Sequence, residues 1–578
     1  MFFRKFLAAV AICVASTLAL AQTDPVATSL PRGAGKTELV TAKHGMVSSQ
    51  EALATRIGVE ILEKGGNAID AAVAVGFALA VTLPRAGNLG GGGFFVIWLA
   101  EKQQAVALDF REIAPQAINA KSFLNEAGKP DTAKSQFTGL GIGVPGSVSG
   151  LATALEKFGS GKFTLAELIA PAIKFARDGV PVENDLAISL AQYEKLLSRW
   201  PSSAKIFMKD GKVLQAGDRL VQNDLANTLE IIAKQGPDAF YRGEIAARIA
   251  QSVRDAGGVM TVEDIANYRT EIRDVIRGNY RGYDVISMPP PSSGGGLLVQ
   301  LLNILEGYDL GKLGLDSPDA VHVIAESMKR AYADRAEFFG DPLFVKIPLQ
   351  ELLSKDYAAK QRATIALDRA TPSAQIRAGN APKKEGDNTT HYSVVDRFGN
   401  AVAATVTLNF SYGLGLVAEG TGVLLNNELD DFALAPGVPN AYGLVGGEAN
   451  APGPNKKPLS SMTPTILLKD GKVFLVTGSP GGSLIITTVL RVMTGVIDYN
   501  LNIAEAVSLK RFHHQWLPDL IFTEPGQPED LLEALRARGH TIRVGRNYGG
   551  ANSILVTPNG ITAAADGRYL GALAAGTE

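Results

Sequence analysis

Two adjacent threonines, Thr389 and Thr390, follow a polar stretch at 371–388 that contains proline, glycine and lysine. Such a composition predicts an exposed linker at which the chain can be cut. A threonine hydroxyl is a weak nucleophile unless a base takes its proton, and a free α-amine, with a pKa of about 7.7–8.0, can be that base. A cut before Thr389 would place nucleophile and base on one residue. These threonines alone also fit two ordinary strand residues.

Sequence signals for other kinds of catalysis are weak. The chain contains no HExxH, P-loop or GxSxG motif, and the glycines at 90–93 lack the GxGxxG spacing. His513 and His514 are the one adjacent pair among six histidines, and neighbouring residues of a strand point to opposite faces. The sequence therefore predicts neither a metal site nor a cofactor.

The N-terminus has the features of an export signal. Arg4 and Lys5 precede an apolar run at 6–18, and Ala19-Leu20-Ala21 fits a cleavage site, which predicts a signal peptide at 1–21. An uncleaved anchor is the alternative, although the run is short for a membrane span of about 20 residues. We expect a soluble mature chain in the periplasm, with full secretion as the other possibility.

Composition narrows the range of partners and of redox chemistry. The formal net charge is −2, so no basic excess favours nucleic acid. The single cysteine, Cys13, lies in the predicted signal peptide, so the mature chain would have neither a disulfide nor a thiolate nucleophile.

The elements that must position the threonines follow from apolar patterning. Residues 50–64 read as an amphipathic helix, and Asn67 is placed to cap a buried second helix. Arg111 follows two predicted strands at 94–100 and 103–110. The runs HYSVVD and AVAATVTLN, on either side of a turn, predict a hairpin that begins at the threonines. The pattern indicates an α-rich part before 388 and a β-rich part after it.

Several long motifs, in order along the chain, resemble the γ-glutamyltranspeptidase family. Before the linker they are GNAIDAAVAVGFALAV (66–81), AGNLGGGGF (86–94), LDFREIAP (108–115) and YRGYDVISMPPPSSGGG (280–296). After it they are NTTHYSVVD (388–396), LLNNELDDF (424–432), PNKKPLSSMTPTI (454–466), TGSPGGS (477–483) and RFHHQWLPD (511–519). The resemblance extends from about residue 37 nearly to the C-terminus.

The resemblance implies an αββα sandwich of the N-terminal nucleophile hydrolase type, made of two chains from one precursor. Self-cleavage between Asn388 and Thr389 would give a large subunit, 22–388, and a small catalytic subunit, 389–578, interleaved in one unit. Thr389 matches the family nucleophile. It would take the γ-glutamyl group of glutathione or another γ-glutamyl compound and pass it to water, an amino acid or a dipeptide.

Three further matches concern the nucleophile. Thr407 matches the family threonine that hydrogen-bonds the nucleophile. Gly481 and Gly482 match the glycines whose N–H groups form the oxyanion hole. Taken without the resemblance, the two glycines also fit a turn before a helix.

Arg111, Ser460 and Ser461 match the residues that bind the α-carboxylate of the substrate. An arginine can hold a carboxylate through two parallel hydrogen bonds. Without the resemblance, Arg111 also fits a surface ion pair with Glu112.

Asn409, Glu428 and Asp431 match the residues that take the α-amino group. Some family members have glutamine at the position of Glu428, and a carboxylate should serve an ammonium at least as well. Residues 436–447 match a lid loop over the pocket, with Tyr442 as its gate.

Two alternatives remain open at this point. A glutaryl-cephalosporin acylase would share the fold, but a glutaryl group has no α-amino group to pair with Glu428 and Asp431. A catalytically inactive binding homologue is the other alternative, and the intact set of matched residues disfavours it.

Overall fold

A computed structural model of the chain describes residues 36–376, 389–435, 438 and 444–578. The predicted signal peptide at 1–21, Asn388 at the predicted cut and Tyr442 in the predicted lid lie outside the described residues.

Two seven-stranded antiparallel sheets form the centre of the molecule. Sheet A consists, in spatial order, of Val40–Ala42, Gly560–Ala565, Asn552–Thr557, Lys472–Thr477, Thr465–Lys469, Tyr283–Ser287 and Ile276–Tyr280. Sheet B consists of Leu573–Thr577, Gly45–Ser49, Thr389–Val395, Ala401–Thr407, Gly92–Leu99, Gln104–Phe110 and Glu271–Arg273. Each sheet therefore combines strands from both sides of residue 388.

Alternation along one strand of sheet B shows how the layers stack. Phe94, Val96 and Trp98 join the core between the sheets, which continues to the helices outside sheet A. Phe95 and Ile97 pack instead against the helices on the other face of sheet B. Because successive strand residues point to opposite faces, both faces of sheet B are covered, and the order of layers is αββα.

The helices on the two outer faces come mostly from the part before residue 388. Those in the core on the outer face of sheet B include Ala52–Glu63, Ala68–Thr82 and Ser147–Phe158, which contact its strands, and Leu165–Asp178, Asn223–Gln235 and Glu244–Asp255. Those in the core on the outer face of sheet A include Gly294–Leu305, which contacts its strands, Pro318–Phe338 and Leu484–Ile497. Among the described residues, the other helices of nine or more residues are Asn184–Gln192, Lys355–Ala363 and Glu529–Ala537.

Local sequence signals fix several element ends as predicted. Asn67 caps the helix Ala68–Thr82 and forms a reciprocal capping box with Asp70. The pair Ser317-Pro318 in the sequence predicts a helix start, and Ser317 indeed caps the helix Pro318–Phe338, with proline at its first position. The predicted hairpin is confirmed as Thr389–Val395 and Ala401–Thr407.

The prediction of an exposed linker is wrong at Ser373, which is buried. Its N–H donates to Asp519 Oδ2 at 2.8 Å, and Trp516 Nε1 donates to its carbonyl at 2.9 Å. These long-range contacts hold the start of the linker against the C-terminal part, and local composition contains no sign of them. None of the described helices is long and apolar enough to cross a membrane.

Candidate active site

Thr389 is the first residue of an inner strand of sheet B, and it lies directly opposite Thr407 in the neighbouring strand. The two Oγ1 atoms are 3.4 Å apart. Val395, on the same face as Thr389, joins the core between the sheets, so both hydroxyls point toward sheet A. The fold thus puts a pair of threonine hydroxyls at the end of a rigid strand pair.

The residues after Thr407 turn sharply into the pocket. Asn409 has a φ of 72°, a left-handed conformation that asparagine tolerates better than most residues. Its N–H donates to Thr407 Oγ1 at 2.8 Å, and its side-chain amide donates to the carbonyl of Asn427 at 2.9 Å. Thr407 Oγ1 therefore contacts two groups, the backbone N–H of Asn409 and the hydroxyl of Thr389.

Gly481 and Gly482 form the turn that leads from sheet A into the helix Leu484–Ile497. Their φ angles are 139° and 53°, values at which a side chain would be strained. The carbonyls of Gly481 and Gly482 accept from the N–H groups of Leu484 and Ile485, at 2.9 and 3.2 Å. The backbone conformation thus favours glycine at both positions. Gly482 also lines the pocket that contains Thr389.

The structure brings the predicted site residues together. One pocket is lined by nine of them: Arg111, Thr389, Thr407, Asn409, Glu428, Asp431, Ser460, Ser461 and Gly482. The tenth, Gly481, directly precedes Gly482. The residues come from strand ends, a short 3₁₀ turn and a helix start that are far apart in sequence. Asn388 at the predicted cut and Tyr442 in the predicted lid are the two members of the set that fall outside the described residues.

Arg111 is the buried cation at the centre of the charged end of this pocket. Its Nη1 donates to Glu428 Oε1, and its Nη2 donates to Asp431 Oδ2 at 2.5 Å. Burial opposes the charged form of Arg111, but the negative charges of Glu428 and Asp431 outweigh it and raise the arginine pKa. The alternative of a surface ion pair with Glu112 is wrong as to the surface, because both residues are buried; Glu112 Oε2 lies 3.9 Å from Arg111 Nη1, in a longer ion pair within the same cluster.

Glu112, which was not predicted as a site residue, is a buried carboxyl group that joins Glu428 and the half-buried Asp431 beside Arg111. Burial raises its pKa to about 7, against the opposing effect of the Arg111 charge. Burial likewise raises the pKa of Glu428 and of Asp431, and Arg111 again opposes the rise. Three carboxyl groups around one arginine cannot all ionise easily, so this end of the pocket is poised to accept a cation.

Arg335 and Ser483 also line the pocket and were missed by the sequence reasoning. Arg335 lies in the buried helix Pro318–Phe338, where its neighbours in sequence look like ordinary helix residues. Ser483 directly follows Gly482, so its proximity to the glycine turn was the one available signal.

Two histidines that are distant in sequence meet away from the pocket residues. His322 Nδ1 and His540 Nε2 are 2.8 Å apart, and Glu326 completes a group close enough to hold a metal ion. Glu326 already binds Lys329 and Arg330 through ion pairs. These cations oppose the addition of another positive charge, and we assign the group a structural role.

An αββα fold with a threonine at the first position of an inner strand defines the class of N-terminal nucleophile hydrolases. Within that class, the family model described as Gamma-glutamyltranspeptidase matches residues 54–576. The glutathione hydrolase proenzyme of Escherichia coli (strain K12) is 52% identical over 539 residues, which cover 93% of this chain and 92% of that protein. The chain therefore belongs to the gamma-glutamyltranspeptidase family, and it is an enzyme with the hydrolase and transferase activity of that family.

Solved structures support the same placement. The chain is similar to a cephalosporin acylase from Bacillus halodurans, with a TM-score of 0.82 and 28% identity over 95% of this chain and 98% of that one. It is also similar to the gamma-glutamyltranspeptidase of Helicobacter pylori, with a TM-score of 0.56 and 43% identity over 61% of this chain and 96% of that one. Sequence identity thus favours the transpeptidase over the acylase.

Proposed function

We propose that the chain is a precursor that cuts itself before Thr389 and then hydrolyses glutathione and transfers γ-glutamyl groups from related compounds. The observation that carries the proposal is a single pocket in which a threonine pair, a glycine turn and a mixed-charge cluster meet. The threonine pair supplies a nucleophile. The charged cluster suits a substrate end that carries both a carboxylate and an ammonium.

Maturation uses the Thr389 hydroxyl first. Its oxygen attacks the carbonyl carbon of Asn388, the C–N bond to Thr389 breaks, and the acyl group moves to the hydroxyl oxygen as an ester. Water then hydrolyses the ester, which leaves a carboxyl group on Asn388 and a free α-amine on Thr389. Thr407 Oγ1, at 3.4 Å, is the neighbouring hydroxyl that can hold the attacking oxygen in place.

Turnover uses the same oxygen with the new amine as its base. The amine takes the hydroxyl proton while the oxygen attacks the γ-carbonyl carbon of the substrate. The N–H groups of Gly481 and Gly482 stabilise the resulting oxyanion. The C–N bond of the substrate breaks, its amine leaves with the proton, and the γ-glutamyl ester on Thr389 is passed to water or to an acceptor amine.

Charge in the pocket explains how the α-amino acid end binds. Arg111 forms ion pairs with both Glu428 and Asp431. A zwitterion can place its carboxylate on Arg111 and its ammonium on the two acids. This exchange replaces pairs within the protein by pairs to the substrate and leaves the net charge of the pocket unchanged.

A substrate of the alternative function, glutaryl-cephalosporin acylase, would bring a different charge to the pocket. A glutaryl group brings a carboxylate without an ammonium, and so adds a negative charge next to Glu428 and Asp431. We therefore expect kcat/KM for γ-glutamyl-p-nitroanilide to exceed that for glutaryl-p-nitroanilide. A dipeptide acceptor should raise the rate with parallel double-reciprocal lines, as expected of a covalent intermediate. Faster cleavage of the glutaryl compound would favour the acylase.

The proposal includes export. The apolar segment at 6–18 with basic residues before it and a small-residue cleavage site after it supports a signal peptide at 1–21 and a periplasmic enzyme. N-terminal sequencing of the large subunit from a periplasmic extract, with the first residue at Gln22, is the test of this part.

A further inference from the structure

Arg335 is a second buried arginine of the pocket, and the proposed mechanism makes no use of it. It projects from the helix Pro318–Phe338, outside sheet A. Its Nε donates to Ser293 Oγ at 2.8 Å, and its Nη2 donates to Ser461 Oγ at 3.0 Å. The guanidinium therefore joins a large-subunit helix to the serine pair expected to receive the substrate carboxylate.

The contact with Ser461 decides which way that hydroxyl can act. A serine hydroxyl has one proton to donate and accepts through its lone pairs. Because Arg335 can only donate, Ser461 Oγ is the acceptor in this contact and keeps its own proton for another partner. A carboxylate in the pocket is an acceptor of the kind that this proton suits.

The contact of Arg335 with Ser293 stabilises the backbone of Ser460, the residue before Ser461. Ser293 Oγ accepts from Arg335 and donates to the carbonyl of Ser460 at 2.8 Å, and Ser293 N–H donates to the same carbonyl at 2.8 Å. Ser460 is thus held through Ser293, and Ser461 is held directly.

The charge of Arg335 acts on the acidic side of the pocket as well. Burial raises the pKa of Asp431, whereas the positive charges of Arg111 and Arg335 oppose that rise. The charge of Arg335 thus favours the anionic form of Asp431, which is the form that an ammonium requires.

We infer that Arg335 is a positioning residue for recognition of the substrate α-carboxylate, acting through Ser461 and Ser460. The inference rests on the proposed function, because it assumes a γ-glutamyl substrate in this pocket. It goes beyond that function in assigning part of the carboxylate specificity to a side chain on a separate helix.

The test compares γ-glutamyl-p-nitroanilide with its α-methyl ester, which lacks the carboxylate charge. The variants are Arg335→Gln, Arg335→Lys and Ser461→Ala, and each is first checked for self-cleavage. We expect Arg335→Gln to raise KM for the free acid roughly tenfold, consistent with loss of a charge-assisted hydrogen bond. KM for the ester and kcat should change little. The preference of the enzyme for the free acid over the ester should therefore be largely lost.

A double-mutant cycle with Ser461→Ala separates positioning from general damage. If Arg335 acts through Ser461, the two losses should not add, and Arg335→Lys, which keeps the charge, should restore part of the preference. Arg330→Lys is the matched control, because Arg330 is buried in the same helix but bonds to Glu326 and Thr364 instead. It should leave the acid-to-ester preference unchanged.

The outcomes distinguish the inference from the function on which it rests. If the unaltered enzyme does not cleave γ-glutamyl-p-nitroanilide, the proposed function is wrong. If it does, and the Arg335 variants keep the wild-type acid-to-ester ratio, the inference alone is wrong. Should Arg335→Gln fail to form two chains, Arg335→Lys and Ser293→Ala decide the question, since an unchanged ratio in both contradicts the inference.

Discussion

Thr389 Oγ1 and Thr407 Oγ1 face each other at 3.4 Å across two adjacent strands, although the two residues are eighteen positions apart in the chain. The register of the hairpin fixes this pair, because shifting either strand by one residue would turn its hydroxyl to the opposite face. The hairpin thus serves both proposed reactions of Thr389, self-cleavage and turnover.

Replacing the nucleophile should stop both reactions. We predict that Thr389→Ala stays a single chain and has no activity, because it has no hydroxyl to attack Asn388. Thr390→Val is the matched control: Thr390 is the next residue, is buried, and its Oγ1 has no hydrogen-bond partner among the described residues. Gel electrophoresis should show two chains for Thr390→Val and one for Thr389→Ala. Normal cleavage in Thr389→Ala would refute the assignment.

Removing the partner hydroxyl should slow turnover without abolishing it. Thr407→Val keeps the shape of the side chain but loses a hydrogen bond to Thr389 and the acceptor for the Asn409 N–H. A neutral hydrogen bond is worth about 0.5–1.5 kcal/mol, which corresponds to a roughly two- to tenfold fall in kcat. Steady-state kinetics of the cleaved enzyme measure this, and an unchanged kcat would remove Thr407 from the mechanism.

Arg111 should matter for binding more than for maturation. Arg111→Ala should still self-cleave, yet lose roughly ten- to a hundredfold in kcat/KM, because hydrogen bonds to charged groups contribute about 1.5–3 kcal/mol. Arg111→Lys keeps the charge but not the two-pronged contact, so an intermediate loss is expected. Unchanged kcat/KM in both variants would place the substrate carboxylate elsewhere.

The predictability of this site differs from residue to residue. Strand and cap signals predicted the hairpin and the Asn67 and Ser317 caps, since these depend on neighbouring residues. Arg335, 54 residues upstream of Thr389, could not be found in this way, because its helix is placed by packing in the core outside sheet A rather than by a local pattern. The matched residues around Arg111 were predicted through family motifs, whereas their mutual ion pairs came from the structure.

The buried Glu112 should make stability depend on pH. Burial raises its pKa from an ordinary 4.5 to about 7, so the folded state holds this proton more tightly than the unfolded state does. Its contribution to stability is therefore present below pH 4.5 and is lost as the pH rises through about 7. Glu112→Gln cannot ionise, so its Tm relative to the unaltered protein should increase between about pH 5 and about pH 8.

Thermal unfolding of the cleaved protein at several pH values measures this difference. Glu263→Gln, a substitution of an exposed glutamate, is the control and should show a difference that does not vary with pH. A pH-independent difference for Glu112→Gln as well would mean that Glu112 does not carry the proton that its burial implies.

Intact mass spectrometry with N-terminal sequencing of the purified, incubated protein tests the central claim most directly. The account predicts two chains, the smaller of which begins with Thr389 and reads Thr-Thr-His-Tyr. A single uncut chain that nevertheless turns over γ-glutamyl substrates, or a second chain that begins at any other residue, would contradict it.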